Sequence, residues 1–160
     1  AIEIATNGNL SFRYTEPPAD AQILEVYLNV PHSDFYTIFP NYSRSLLDRG
    51  AGAWDWVEVT PEGNIKKARI AVKEKGINWT VPYPKEFKNN TTLNELINVV
   101  GLFIDQIDGP RDSILNDHTP RPFPQEYSPL DLKVSKMLYL PHVKPGMSPN
   151  EVRNYVRVIK

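Results

Sequence analysis

The sequence predicts an α+β fold built around an antiparallel β-sheet core, and three observations carry that expectation. Several segments alternate apolar and polar residues and are joined by turn-forming residues, the pattern of half-buried strands. One longer segment, TTLNELINVVGLFIDQID, carries the helical period instead. Proline is abundant, 15 of 160 residues, against a usual share of about 5%. This favours turns and extended stretches over long helices. The expected elements are hairpins near residues 2–15 and 53–73, a strand over 21–30, one longer helix near 92–108 and a short C-terminal helix. All fall in a single domain over 1–160, a length that suffices to bury a core.

Taken in order, IEIAT, NGN and LSFRYT read as the first hairpin, because Asn7-Gly8 tolerates the positive φ of a tight turn. EPPADA is a loop. AQILEVYLNV alternates, with Leu24, Val26, Leu28 and Val30 on one face and Glu25 and Asn29 on the other. Pro31 has no N–H and ends the strand's pairing. A short helix or turn is expected near Ser43–Asp48. AWDWVEVT and IKKARIAVK, joined by PEGN, form the second hairpin, with Trp54 and Trp56 on one face as core or half-buried residues.

INWTVPYPKEF reads as a short strand broken by Pro82 and Pro84. In the longer helix, Thr92 and Glu95 are spaced as a capping box. Leu93, Leu96, Ile97, Val100, Phe103, Ile104 and Ile107 give it an apolar face. Gly101 inside it points to a close packing contact. TPRPFPQEYSP is expected to be polyproline-like and to wrap the surface, followed by a strand in KVSKMLYLP. Near the end, Ser148, Pro149 and Glu151 fit the N-cap, first and third positions of a terminal helix.

The formal net charge is −1 with mixed charges, so no nucleic-acid partner is expected. Without cysteine, disulfides and thiolate metal sites are excluded. The longest apolar stretch, around Val99 to Ile104, is too short to span a bilayer. No signal peptide is recognisable; the chain opens on Ala1, not Met, so it is expected to be cut from a longer polypeptide or expressed as a fragment. The sequence contains no GxSxG, HExxH, P-loop or GxGxxG motif, and neither a cofactor nor a metal is expected. His118 and His142 read as solvated loop histidines. Four sequons begin at Asn41, Asn78, Asn89 and Asn90; they have meaning only in a secreted chain and are read as chance matches.

The stretch VPHSDF, residues 30–35, brings a serine and a histidine together, with Asp48 further on. Serine needs a base to take its proton, and imidazole needs an acid to fix its tautomer. The candidate catalytic set is therefore Ser33, His32 and Asp48, with Ser43 or Ser45 as alternative nucleophiles. In a regular strand His32 and Ser33 point to opposite faces, so the reading requires the backbone to turn there. Each residue also has an ordinary role: Ser33 or Asp34 as the cap of a helix starting at Phe35, His32 at the surface, Asp48 in a turn. RDSILNDH, residues 111–118, departs from the GDSL esterase pattern at Arg111 and in the placement of its acid and histidine, and is read as chance.

VPHSDFYTIFPNYSRSLLDRG, together with GAGAWDWVEVTPEGNIKKARIAVKEKGINWTVPYPKEFKNNTT, resembles the C-terminal protruding domain of the largest capsid protein of the iflaviruses. The resemblance implies an α+β domain on the virion surface, above a jelly-roll shell and made in the host cytoplasm. It implies an Asp–His–Ser set at Asp48, His32 and Ser33 with lipase, esterase or protease activity, and a role in host-cell attachment or membrane disruption during entry. The implied partners are other capsid subunits and a host receptor or membrane lipid. The competing expectations are a hydrolase using Ser33 and a purely structural capsid spike.

Overall fold

The computed structural model describes residues 23–47, 52–75, 81–101, 109–116 and 122–155. Its elements are β1 (Ile23–Val30), α1 (His32–Ile38), α2 (Arg44–Leu47), β2 (Ala53–Val59), β3 (Ile65–Lys73), α3 (Lys85–Val99), α4 (Pro129–Leu138) and α5 (Pro149–Arg153). The class is α+β. The expected hairpin near 2–15 lies outside the described residues.

The three strands form one sheet in the order β1-β3-β2. β2 and β3 are the expected hairpin, antiparallel from Ala53↔Val72 to Val59↔Ile65. β1 pairs parallel to β3, Ile23 with Lys67 through Tyr27 with Ala71, so the sheet is mixed rather than antiparallel throughout. A parallel neighbour requires a crossover, and the segment through α1, α2 and β2 supplies it.

Alternation along β3 divides the core. Ala68, Ile70 and Val72 face one side, where Ala53, Ile97, Val99, Val100, Ile114, Leu115 and Tyr127 are buried with them and Leu24, Leu93 and Leu96 pack alongside. Ala71 faces the other side, with Val30, Phe35, Phe39 and Leu47, bordered by Trp54 and Trp56. Each fully buried Val, Leu, Ile or Phe side chain contributes about 1.5–3 kcal/mol. The two tryptophans share a face, as expected.

The expected single apolar face of β1 does not hold. Asn29 has φ 57, and the register shifts between Tyr27 and Val30. The bulge turns Val30 into the α1 side of the core while Leu24 stays on the α3 side. Val26 and Leu28 are 42% and 58% exposed.

The long helix begins earlier than the Thr92–Glu95 spacing suggests. Pro84 is its N-cap at φ −56, ψ 151, a residue with fixed φ and no N–H to orphan. Thr92 lies mid-helix and donates its hydroxyl to the carbonyl of Lys88. The helix stops at Val99 because Gly101 has φ +121, which a side chain would resist; Leu138 packs 3.3 Å from where its Cβ would stand. Gly101 thus sits at a helix end rather than inside the helix, with the expected close contact made by Leu138, and residues 102–108 lie outside the described residues.

Residues 122–128 have no regular structure and lie along α3. Asn90 donates to the carbonyl of Pro124, Gln125 to that of Glu86, and Tyr127 to that of Leu93. Phe123 meets Phe87 edge-on at 5.4 Å. This is the expected surface wrap.

The strand expected in KVSKMLYLP is instead helical, as part of α4. Ser128, Pro129 and Asp131 form a full capping box with proline at the first turn, and a start signal of that strength overrides a short apolar alternation. The terminal helix has its expected cap, with Ser148 and Glu151 bonding reciprocally. Pro145 rests against Gly63 in the β2–β3 turn, where φ is +84 and a Cβ would stand 2.5 Å from the proline ring.

Candidate functional site

The segment VPHSDF is held from below. Val30 and Phe35 are buried, 4% and 0% exposed, in the same cluster as Leu47. Between these anchors Pro31 caps α1 with φ −64 and ψ 155, and the amide of Asp34 donates back to its carbonyl at 3.1 Å. The backbone therefore turns at His32–Ser33, as the catalytic reading requires, but it turns into a helix that starts at His32 rather than at Phe35. Consecutive helical positions diverge by about 100° and do not face each other.

Ser33 and Asp34 are exposed in the first turn of α1. The Ser33 hydroxyl donates to Asp34 Oδ1 at 2.7 Å. A carboxylate so placed orients the hydroxyl but is a poor acceptor of its proton, and the side chain of His32 lies outside the described ones. Asp34 carries negative charge where the helix dipole favours it. Asp48 lies outside the described residues. The residue before it, Leu47, packs in the cluster that anchors Val30 and Phe35, so α1 and α2 share one face of the sheet.

Two cations of β3 hold these helices. Arg69 donates through Nη1 to the carbonyl of Ile38, the last residue of α1, at 3.1 Å. Its Nε pairs with Glu25 at 2.5 Å, and Lys67 reaches the other oxygen of that carboxylate at 2.7 Å. Burial raises the pKa of Glu25, but the two cations more than reverse this and leave it lowered. Lys73, 3% exposed, donates to the carbonyl of Leu47 at the end of α2 and lies over the Phe35 ring. Both cations sit at helix C-termini, where orphan carbonyls and the dipole favour positive charge.

The other candidates separate by burial. Ser43 is exposed and its carbonyl accepts from Leu47; the side chain of Ser45 lies outside the described ones. Ser113 of the RDSILNDH stretch is 3% exposed and donates to Asp131. His142 is exposed and stacks on Tyr155 at 5.6 Å, while His118 lies outside the described residues. Of the sequons, Asn41 is exposed in the turn before α2, Asn89 and Asn90 are within α3, and Asn78 is not described. No group of three or more His, Asp or Glu is placed to hold a metal among the described residues. No described helix is long and apolar enough to cross a membrane.

Asp131 escaped the sequence reading, although S128-P-L-D131 is a capping-box signature. Its two oxygens accept from the Ser113 hydroxyl and from the amides of Ile114 and Ser128. It is 2% exposed and organises the loop before it without facing solvent.

Residues 60–158 match a family described as protein of unknown function (DUF2927). The chain belongs to this family. No curated protein and no solved structure matches it. The DUF2927 region takes in β3, α3, the proline-rich wrap, α4 and α5, and excludes α1, α2 and the VPHSDF segment. The candidate triad thus lies outside the part that defines membership, and the C-terminal helices lie inside it.

Proposed function

We propose that this DUF2927 chain is a surface recognition domain of an iflavirus-type capsid protein, contacting a host receptor or membrane during entry. The supporting observation is a run of exposed apolar side chains on β1: Val26 at 42%, Tyr27 at 39% and Leu28 at 58%. Val26 and Leu28 alternate with Tyr27 along the strand, and exposed apolar side chains on an edge strand offer a surface for a partner. The sequence resemblance to the iflavirus protruding domain supplies the setting. In the test, the 160-residue domain is added to cells permissive for an iflavirus before virus. The reading expects the domain to bind and to reduce attachment, and Val26→Ser with Leu28→Ser to weaken both. A folded domain that neither binds nor competes overturns it.

The exposure of Ser33 at the start of α1 favours a second reading, a serine hydrolase using Ser33, His32 and Asp48. Hydrolysis of a short-chain ester probe, lost in Ser33→Ala and His32→Ala alike and less in Asp48→Ala, would support it. Equal turnover by Ser33→Ala and the parent chain would end it.

A further inference from the structure

In the order β1-β3-β2, the strand β1 stands at the edge of the sheet. A strand paired on one side turns every second amide and carbonyl away from its neighbour. Soluble proteins blunt such edges with charge, proline or a covering element. Along the run Val26, Tyr27 and Leu28 this protection is missing: all three side chains are exposed and none is charged. Helix α3 lies over β2 and β3. Its Lys88 reaches β1 at Asn29, beyond the exposed run. There the positive φ of Asn29 and the shift of register interrupt the regular edge.

The chemistry of this edge decides what fits it. Outward amides and carbonyls ask for main-chain groups at strand spacing in return, which neither a helix nor a lipid surface presents. Anionic partners are recruited by free cations, and the cations beside β1 are engaged. Lys67 and Arg69 hold the carboxylate of Glu25, and Lys88 holds Asn29. The same two cations satisfy Glu25, so the strand offers a basic partner no free carboxylate either. Its side chains alternate, with Leu24, Val26 and Leu28 towards the α3 side and Tyr27 towards the other. An extended, uncharged peptide with apolar residues at every second position meets each of these conditions.

We propose that β1 takes up an extended peptide segment by strand addition, continuing the sheet beyond its edge. Apolar residues of the incoming strand pack beside Val26 and Leu28, and the bulge at Asn29 sets where pairing stops. This deepens, and rests on, the reading of β1 as the host-contact surface, and it assigns that contact to polypeptide backbone in place of bilayer.

The test uses the 160-residue chain and a capped, fluorescently labelled octapeptide alternating valine and threonine, alongside the cell-attachment assay. The expected result is a rise in anisotropy on binding, with hydrogen exchange slowed at alternate amides of β1. The same peptide N-methylated throughout keeps its side chains, loses every donor and should not bind. Val26→Lys with Leu28→Lys should weaken binding by about tenfold, since two apolar cross-strand pairs are lost, with circular dichroism unchanged. Equal binding of the N-methylated peptide, or unchanged exchange along β1, overturns the proposal. So does self-association through β1 in sedimentation without peptide uptake, which gives the edge to a second copy. Cell attachment without peptide binding ends strand addition and leaves the host-contact reading standing. Peptide binding without attachment does the reverse.

Discussion

Lys73 places its ammonium group 2.9 Å from the carbonyl oxygen of Leu47, in a position only 3% exposed. The contact joins the central strand to the end of α2 and so fixes the helix that leads towards Asp48. Lys73→Met keeps the apolar stem but leaves a carbonyl without this donor. We expect a loss of about 1–3 kcal/mol, the usual cost of an unsatisfied buried polar group. Urea unfolding measures it, and a loss below about 0.5 kcal/mol would show that the bond does not hold α2.

The carboxylate of Asp131 is the acceptor for three donors in the core. Asp131→Ala strands all three, and we expect about 3 kcal/mol or more of destabilisation by the same assay. Asp131→Asn keeps one acceptor oxygen and should cost less. Equal losses in the two variants would mean that the packing of the side chain, not its bonding, is what matters.

Val26 and Ile70 are register partners of opposite exposure, 42% and 0%. Ile70→Asp buries a charge without compensation and should abolish folding. Val26→Asp should leave a soluble, folded chain within about 1 kcal/mol of the parent. An unfolded Val26→Asp, judged by circular dichroism, would show that the strand edge is covered.

Tyr139 donates its hydroxyl to the carbonyl of Val100 at 2.7 Å, and burial pushes its pKa from 10.0 up to about 12. The folded state thus retains a proton that the unfolded chain releases. The stabilisation is complete below pH 10 and is lost as pH rises towards 12. Stability measured across that alkaline window should fall with a slope that is shallower in Tyr139→Phe. An unchanged slope would assign the effect to other groups, Tyr127 first, since burial and then the charge of Asp131 raise its pKa as well.

Local signals in the sequence read well where residue type alone fixes geometry. The β2–β3 turn, the proline-rich wrap and the Ser148 cap are such places, because Pro61, Pro124 and Pro149 fix φ and Gly63 reaches the positive φ of the turn whatever lies around them. Reading failed where tertiary context decides. The bulge at Asn29 depends on how β1 meets β3, and periodicity carries no trace of it. KVSKMLYLP alternates like a strand, but the cap five residues upstream commits it to a helix. The parallel pairing of β1 depends on the crossover and not on any property of the strand. Of the candidate site, VPHSDF gave only the condition that the backbone turn after Pro31, which the helix start at His32 meets. The helical geometry that separates neighbouring positions did not follow from it, because Pro31 ends a strand and starts a helix with equal ease.

The parallel pairing of β1 with β3 also sets an order of events during folding. The β2–β3 hairpin closes across a few residues, whereas Ile23 must find Lys67 through the whole crossover. Long closures lose more chain entropy before contacts repay it, so the hairpin is expected in the transition state and β1 after it. In stopped-flow measurements Val57→Ala should slow refolding, while Leu24→Ala should chiefly speed unfolding. Until β1 docks, the apolar edge of β3 is open to other chains. A nascent or thermally stressed population is therefore most vulnerable to aggregation in that interval, and the delay in forming a single strand pair governs its yield.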